Sequence, residues 1–362
     1  MAPVVLVLPG RIEARTGGTI YDRRIVEGLR QRAWHVDVLE LDTSFPYPTP
    51  RARAHADDAL AGIASGTIVI VDSLALGALP DVIAREAERL RIVALVHQPL
   101  ATAVGLDAAV ATRFAEAERQ ALAAATLVVV TGQAARALLA PYAVASDRIV
   151  VVEPGTDVPQ GASGPSVDRD ASTIGIRSER VALLSVGTVH AGKGHDLLLE
   201  ALAEVASRSW HLTCAGSLTH DPATADRLRA RVQRLGIEDS VSFVGDLDRR
   251  ELAACYDAAD VFALATRQET YGMAVAEALA HGLPVVATMT GAIPDLVGDE
   301  AGILVAVDDK PALIDALQRV LADAALRDRL AGGARRARQR LPTWEMASER
   351  MSAALNTLTA HG

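Results

Sequence analysis

Arg267-Gln-Glu-Thr-Tyr-Gly-Met-Ala-Val-Ala-Glu-Ala-Leu-Ala-His-Gly-Leu-Pro-Val-Val-Ala-Thr288 is the stretch whose reading decides the fold of this chain. The apolar run Val261-Phe-Ala-Leu-Ala265 precedes it and reads as a buried strand. Glu269 follows in a short polar turn. Gly272 opens an alanine-rich segment that reads as a helix, Gly282 ends it, and Pro284-Val-Val-Ala-Thr288 starts another strand. One carboxylate, Glu269, thus lies at a strand-to-helix junction, and a second, Glu277, lies inside the helix. The first N–H groups of a helix lack partners within it and carry partial positive charge, which suits a phosphate. Carboxylates suit hydroxyls, which donate to them. An anion site flanked by two hydroxyl acceptors describes a pocket for a nucleotide-linked sugar. The plainer alternative is a βαβ unit carrying two solvated glutamates.

The same alternation runs outward in both directions. Segments 3–8, 35–41, 67–71, 91–96, 126–131 and 148–152 read as strands, and 19–32, 51–65, 106–124 and 133–140 as helices. Residues 159–178 carry Gly, Pro, Ser and charges with no apolar period, as a linker does. Beyond them, strands at 181–186, 211–215, 241–244 and 302–305 alternate with helices at 195–206, 222–235, 249–254, 310–321 and 326–340. The expectation is an α/β chain with two doubly wound, Rossmann-like domains, 1–158 and 179–342, joined by the linker 159–178. A final helix within 343–362 is expected to cross back to the first domain. Such folds bind ligands at the carboxyl ends of their strands, so a cleft between the two domains is the expected site.

Composition narrows the function classes. The 362 residues are enough for two full cores. The formal charge of −9, from 36 basic and 45 acidic residues, argues against a general nucleic-acid binder. The two cysteines, Cys214 and Cys255, are too few for a disulfide framework, lack metal-site spacing and read as buried structural thiols. No leader or spanning run is read, so a cytoplasmic location is expected. Peripheral contact with a membrane stays open.

Individual signals in the first domain are weak alone. The loop 9–18 ends in Gly17-Gly18 before a helix, an order that brings backbone amides near a phosphate, yet its spacing is neither a dinucleotide fingerprint nor a P-loop. Asp72 and His97 each follow a strand, on the ligand edge of a parallel sheet. Asp246-Leu247-Asp248 has the form of a metal-binding pair, but its place before a helix favours an N-cap for Asp248.

Together these pieces resemble the GT-B glycosyltransferases of family 4, which are retaining, use nucleotide-sugars and carry a Glu-x7-Glu motif. The resemblance spans nearly the whole chain. It rests on Gly17-Gly18, on His97 and on Val186-Gly-Thr-Val-His-Ala-Gly-Lys-Gly-His-Asp196. It rests also on Cys214-Ala-Gly216, on Val241-Ser-Phe-Val-Gly245, on Glu269 to Glu277 and on Thr290-Gly-Ala-Ile-Pro-Asp295. It implies that Glu277 holds the donor's ribose, that Glu269 meets the hydroxyls of the transferred sugar, and that Lys193 neutralises the diphosphate. Backbone N–H groups of Tyr271, Gly272 and Met273 would bind sugar and phosphate, with Gly187, Thr188, Gly216 and Gly245 lining the donor site. Gly17 and Gly18 would approach the diphosphate, and His97 the sugar, making Glu269, His97 and Lys193 the expected catalytic set. The family usually has an arginine where this chain has Thr188, although a subgroup with Val-Gly-Thr exists. Arg267, two residues before Glu269, is the candidate to supply the missing charge.

The resemblance implies transfer of a hexosyl group from a UDP- or GDP-sugar to an acceptor hydroxyl, with no metal and no cofactor beyond the donor. The acceptor, a small molecule or a lipid-linked one, would lie near Gly18, Tyr21 and His97. Two alternatives stay open: a nucleotide-sugar-binding protein without transfer, and a GT-B isomerase of nucleotide-sugars.

Overall fold

The computed structural model describes residues 3–159, 180–207 and 209–359. The expected linker, apart from residue 159, lies outside them. The chain divides into two compact units, Met1–Gly155 with Pro342–Gly362, and Thr156–Leu341.

The first unit runs β1 (Val4–Pro9), α1 (Gly17–Gln31), β2 (Val36–Leu41), α2 (Pro50–Ala61), β3 (Ile68–Asp72), α3 (Ser73–Leu76), α4 (Pro80–Glu86), β4 (Arg91–Val96), α5 (Ala108–Ala124), β5 (Leu127–Val130), α6 (Gln133–Leu138) and β6 (Ile149–Val151). Its sheet is parallel, in the order β2-β1-β3-β4-β5-β6. Every residue of β3 and β5 is buried. That is why these strands read as continuous aliphatic runs, for helices cover both faces of such a sheet. The order reverses at β1, whose neighbours are β2 and β3, and a reversal opens a crevice at the strands' carboxyl ends.

The last helix, α14 (Trp344–Thr359), belongs to this unit. Its Ala347, Met351, Ala354 and Leu355 pack with Tyr21, Ile25 and Leu29 of α1. The crossing is close: a Cβ on Gly28 would stand 1.8 Å from Ser348 Oγ. Trp34 Nε1 donates to Ser352 Oγ at 2.9 Å. Two details differ from the sequence expectation. The first helix begins at Gly17, because Thr16 and Thr19 form a capping box, so Gly17 and Gly18 are helical rather than loop residues. The short helices α3 and α4 fill the segment between β3 and β4, and at 4 and 7 residues they are too short to show a period.

The second unit contains β7 (Val181–Val186), α7 (His195–Glu204), β8 (Trp210–Ala215), α8 (Pro222–Leu235), β9 (Val241–Gly245), α9 (Arg249–Ala258), β10 (Val261–Leu264), α10 (Met273–Ala280), β11 (Val285–Thr288), α11 (Ile293–Val297), β12 (Gly302–Val305), α12 (Lys310–Ala322) and α13 (Ala324–Ala337). Its parallel sheet has the order β12-β11-β10-β7-β8-β9. The chain starts at β7 in the middle, builds outward through β8 and β9, then returns to place β10 on the other side. The reversal therefore falls between β7 and β10. Helix α7 packs in the core on one face, α10 in the core on the other. The loops after β7 and β10 diverge around that point, and they carry Lys193 and Glu269.

Candidate active site

Lys193 closes a single 3-10 turn, Ala191–Lys193, that follows β7. Gly194 comes next at φ 65°, and a Cβ there would stand 1.8 Å from the carbonyl oxygen of Ala265. Only glycine tolerates both the left-handed backbone and that approach. The close contact lays the Lys193 turn on the end of β10. Three further ties hold it: Arg267 N–H donates to Gly192 O at 2.7 Å, Thr266 Oγ1 donates to the same oxygen at 3.1 Å, and Arg267 Nη1 donates to Ala191 O at 2.8 Å.

The lysine stem runs over Gly187, where a Cβ would be 3.3 Å from Lys193 Cδ. Its ammonium reaches Glu269 Oε2 at 2.6 Å, and the two side chains are only 20% and 16% exposed. Gly291 packs against the other side of the Glu269 turn, with a would-be Cβ 1.9 Å from Glu269 O. Gly272, at φ 97°, is the N-cap of α10 and makes no side-chain hydrogen bond to its first N–H groups. One turn further, Glu277 Oε2 accepts from the hydroxyl of Tyr256 at 2.9 Å. Tyr256 is 2% exposed and stacks on His281, which pairs with Asp257. Burial first, and then the neighbouring Glu277 charge, push the Tyr256 phenol well up, so it stays a donor.

These positions bring Lys193, Glu269, the start of α10 and Glu277 together at the sheet reversal. Thr188 sits two residues past the end of β7 and makes no charge available there. Arg267, the candidate for the missing charge, is held by two carboxylates. Its Nη1 and Nη2 hold the two oxygens of Asp196 at 2.9 and 3.0 Å, and its Nε holds Asp308 at 2.9 Å. In this arrangement its fork braces the Lys193 turn against α7. Burial pushes the Asp196 carboxyl up, but the Arg267 hydrogen bonds and charge outweigh that and leave it lowered.

Other expected donor residues are placed differently. Gly216 is required by the sheet itself, since a Cβ would lie 2.2 Å from Gly187 O. Gly245 ends β9 at φ 72° with open space around it. Tyr271 is 4% exposed, so its part can only be played by its backbone. Two histidines beside Lys193 were not singled out from sequence. His190 accepts from Gly192 N–H through Nδ1 at 3.1 Å, which puts its proton on Nε2 when neutral. His195 is 3% exposed, and neither ring nitrogen has a hydrogen-bond partner among the described residues. Burial and the Lys193 charge push both down to about 4.

In the first unit, His97 follows β4 and Gly18 lies against its ring, with a would-be Cβ 3.5 Å from Cδ2. His97 Nε2 is 3.1 Å from Asp22 Oδ1 and 3.4 Å from Asp72 Oδ2. Asp22 comes from α1, which follows β1, and Asp72 from the end of β3, the neighbour of β1 across the reversal. Ligand atoms of the three lie within 4.8 Å of one another, a spacing that could also hold a cation. Tyr21 meets the imidazole edge-on at 5.3 Å, but it is 1% exposed and its hydroxyl donates to Val152 O at 2.9 Å. The expectation of Tyr21 at an acceptor is corrected: it is a core residue. Asp22 had no sequence signal beyond standing one turn after Gly18.

Elsewhere, Asp248 caps α9 in a capping box with Glu251. Cys214 is buried and its thiol pushed up to about 12 by burial, whereas Cys255 is only half-buried. Among the described residues, no helix is long and apolar enough to cross a membrane.

Residues 180–323 match the model of the family described as glycosyl transferases group 1. A D-inositol 3-phosphate glycosyltransferase of Xylanimonas cellulosilytica is 36% identical over 243 residues, 65% of this chain and 57% of that protein. The namesake from Corynebacterium aurimucosum is 33% identical over 54% of this chain and 48% of its own length. The chain thus spans about half the length of the curated relatives it matches. Among solved structures, sucrose-phosphate synthase from Thermosynechococcus elongatus superimposes with a TM-score of 0.84 at 24% identity, over 100% of both chains. HepE of Anabaena, solved with UDP-glucose, gives 0.76 at 18% identity over 99% of this chain and 100% of that one. The fold is GT-B.

Proposed function

We propose, from the premise that residues 180–323 carry a group 1 glycosyl transferase domain on a GT-B fold, that this chain moves a hexosyl group from a UDP- or GDP-sugar to an acceptor hydroxyl. The observation that carries this is the ion pair of Lys193 and Glu269 beside the glycine-capped start of α10, with Glu277 one turn on. The leaving group is a nucleoside diphosphate whose negative charge grows as the anomeric carbon–oxygen bond breaks. A lysine and a helix N-terminus stabilise that charge as it grows, in a mostly buried place where such stabilisation is strongest. Glu277 suits the ribose hydroxyls and Glu269 those of the sugar, because each carboxylate accepts from O–H donors.

Retention follows if the acceptor attacks from the face the diphosphate leaves. The acceptor oxygen then bonds to the anomeric carbon, and its proton passes to the departing phosphate oxygen. The chain supplies no separate base in this scheme, and no metal is assigned a step. UDP is favoured as the nucleotide because a structural neighbour was solved with UDP-glucose. A phosphorylated polyol is the favoured acceptor, since the curated relatives are named for D-inositol 3-phosphate. A cytoplasmic site of action is part of the same proposal.

The deciding experiment incubates the purified chain with UDP- and GDP-hexoses, with and without inositol phosphate, and follows release of nucleoside diphosphate. Acceptor-dependent release, with an α-linked donor giving an α-linked product by NMR, is expected. Tight nucleotide binding without release would make the chain a binding protein. Turnover of donor in the absence of any acceptor would make it an isomerase or hydrolase.

A further inference from the structure

His97 offers one ring nitrogen, Nε2, to two carboxylates at once, 3.1 Å from Asp22 and 3.4 Å from Asp72. Both acids are nearly sealed from water, at 1% and 4% exposure. Two ionised carboxylates cannot share a buried spot without a counter-charge. A neutral imidazole gives them one N–H and no charge. An imidazolium gives the same N–H and a full positive charge between them. Gly18 lies against one edge of the ring, and Tyr21 packs at right angles to it. The carboxylates are themselves fixed: Asp22 by α1, Asp72 by its second task of capping α3 through Leu74 N–H at 2.8 Å.

We infer that Asp22 and Asp72 are positioning residues that hold His97 as an imidazolium with Nε2 turned inward, so that Nδ1–H is the charged donor this ring offers a substrate oxygen. The inference rests on the proposed transferase reading together with the expectation, from the family resemblance, that His97 approaches the substrate. It adds a restriction: a ring held in this state donates a proton in a hydrogen bond and is no general base. It fits a substrate oxygen that carries negative charge, whether the phosphate of the acceptor or that of the donor. The charged groups facing the ring are Asp22 from α1 and Asp72 from the end of β3. The hydroxyl of Thr131 on the β5 side, which donates to the His97 carbonyl, and Tyr21 are neutral neighbours. Burial alone would lower the His97 pKa, yet the charge and hydrogen bond of Asp22 and the charge of Asp72 leave it raised. Burial, helped by the Asp22 charge and opposed by that of His97, lifts the Asp72 carboxyl to about 7, so near neutral pH Asp22 is the main partner of the charged ring and Asp72 the lesser one.

Nitrogen-15 NMR of the histidine rings in the full chain tests this directly. His97→Gln assigns its signal among the nine histidines. The wild-type ring is expected to stay protonated well above the ordinary midpoint near ~6.5. Asp22→Asn should lower its midpoint by about 1–3 units, and Asp72→Asn, which keeps the α3 cap, by less. A wild-type ring that is neutral at neutral pH, or a midpoint unmoved by Asp22→Asn, would overturn the inference. If Asp22→Asn does not fold, the wild-type midpoint and Asp72→Asn still decide. Zinc ions alone, added at micromolar level, should leave the ring signals unchanged; coordination shifts would make the cluster a metal site instead. Omitting the acceptor phosphate from the substrate tells the two oxygen sources apart: if KM for the dephosphorylated polyol no longer responds to His97→Gln, the acceptor phosphate is the partner. None of the ring titrations needs turnover, so an inactive wild type would sink the transferase reading and leave this one standing.

Discussion

Lys193 Nζ and Glu269 Oε2 meet at 2.6 Å although the residues are 76 apart in sequence. Their meeting is a consequence of strand order. Lys193 follows β7 and Glu269 follows β10, and these strands are hydrogen-bonded neighbours only because the sheet reverses between them. The cation suited to a diphosphate and the carboxylate suited to sugar hydroxyls thus form one electrostatic unit. Each fixes the other before any substrate enters, which reduces the reorganisation left for the reaction.

A coupled pair should not lose activity additively. Lys193→Ala and Glu269→Gln are each expected to lower kcat by about 10²–10³-fold. The double variant should be little worse than the poorer single one, because either change alone already disables the unit. Initial rates of nucleoside diphosphate release, with circular dichroism to confirm folding, make the check. Losses that multiply would show two independent contributions.

Arg267 yields a different signature because it braces the turn instead of touching the leaving group. Arg267→Lys keeps the charge but cannot reproduce the two-pronged hold on Asp196 together with the bond to Asp308. The expected outcome is a loss of about 1–2 kcal/mol from the second unit, discounted because Asp196 and Asp308 are partly exposed, read as a lowered Tm. Transfer should fall about tenfold through looser placement of Lys193. A loss of transfer equal to that of Lys193→Ala with Tm unchanged would mean direct contact with substrate.

The carboxyl-end placement of Lys193, Glu269, Glu277 and His97 was legible because each stands just after an apolar run or inside the helix that follows one. What periodicity and motifs cannot carry is the partner of each group. Arg267 looked available because its charge is visible in the sequence, whereas Asp196 and Asp308, which bind it, are brought in by the folding of two other loops. Tyr256 and Asp22 stand on helices with no local mark, and their roles arise only from the packing of α9 against α10 and of α1 over the sheet. The tight approach of Gly187 O to Gly216 is likewise set by strand pairing and has no mark in the sequence.

Tyr256 should act on donor binding and little else. Its buried hydroxyl orients Glu277, the carboxylate assigned to the ribose, from 2.9 Å. Tyr256→Phe keeps the ring and its stacking on His281 but removes one hydrogen bond, worth about 1 kcal/mol. KM for the donor should rise about fivefold with kcat nearly unchanged. A fall in kcat at constant KM would contradict this role.

His195 sets an acid limit on the second unit. Its ring is buried without hydrogen-bond partners among the described residues, and burial, with the Lys193 charge, holds its pKa at about 4 against an ordinary 6.5. Between those two values the unfolded chain binds a proton that the folded chain refuses. Stability therefore rises with pH across this window, is complete above about pH 7, and is lost as pH falls toward about 4, by up to about 3 kcal/mol. His195→Leu removes the titrating group at similar volume and leaves no unpaired polar atom. It should match or exceed the wild type at neutral pH, and keep stability at about pH 4.5 where the wild type has lost most of that amount. Urea unfolding followed through Trp210, which is buried in the core cluster that packs α7 against the sheet, reads the difference. Parallel pH dependence in the two proteins would place the acid sensitivity elsewhere, with half-buried His190, also held at about 4, as the next group to replace.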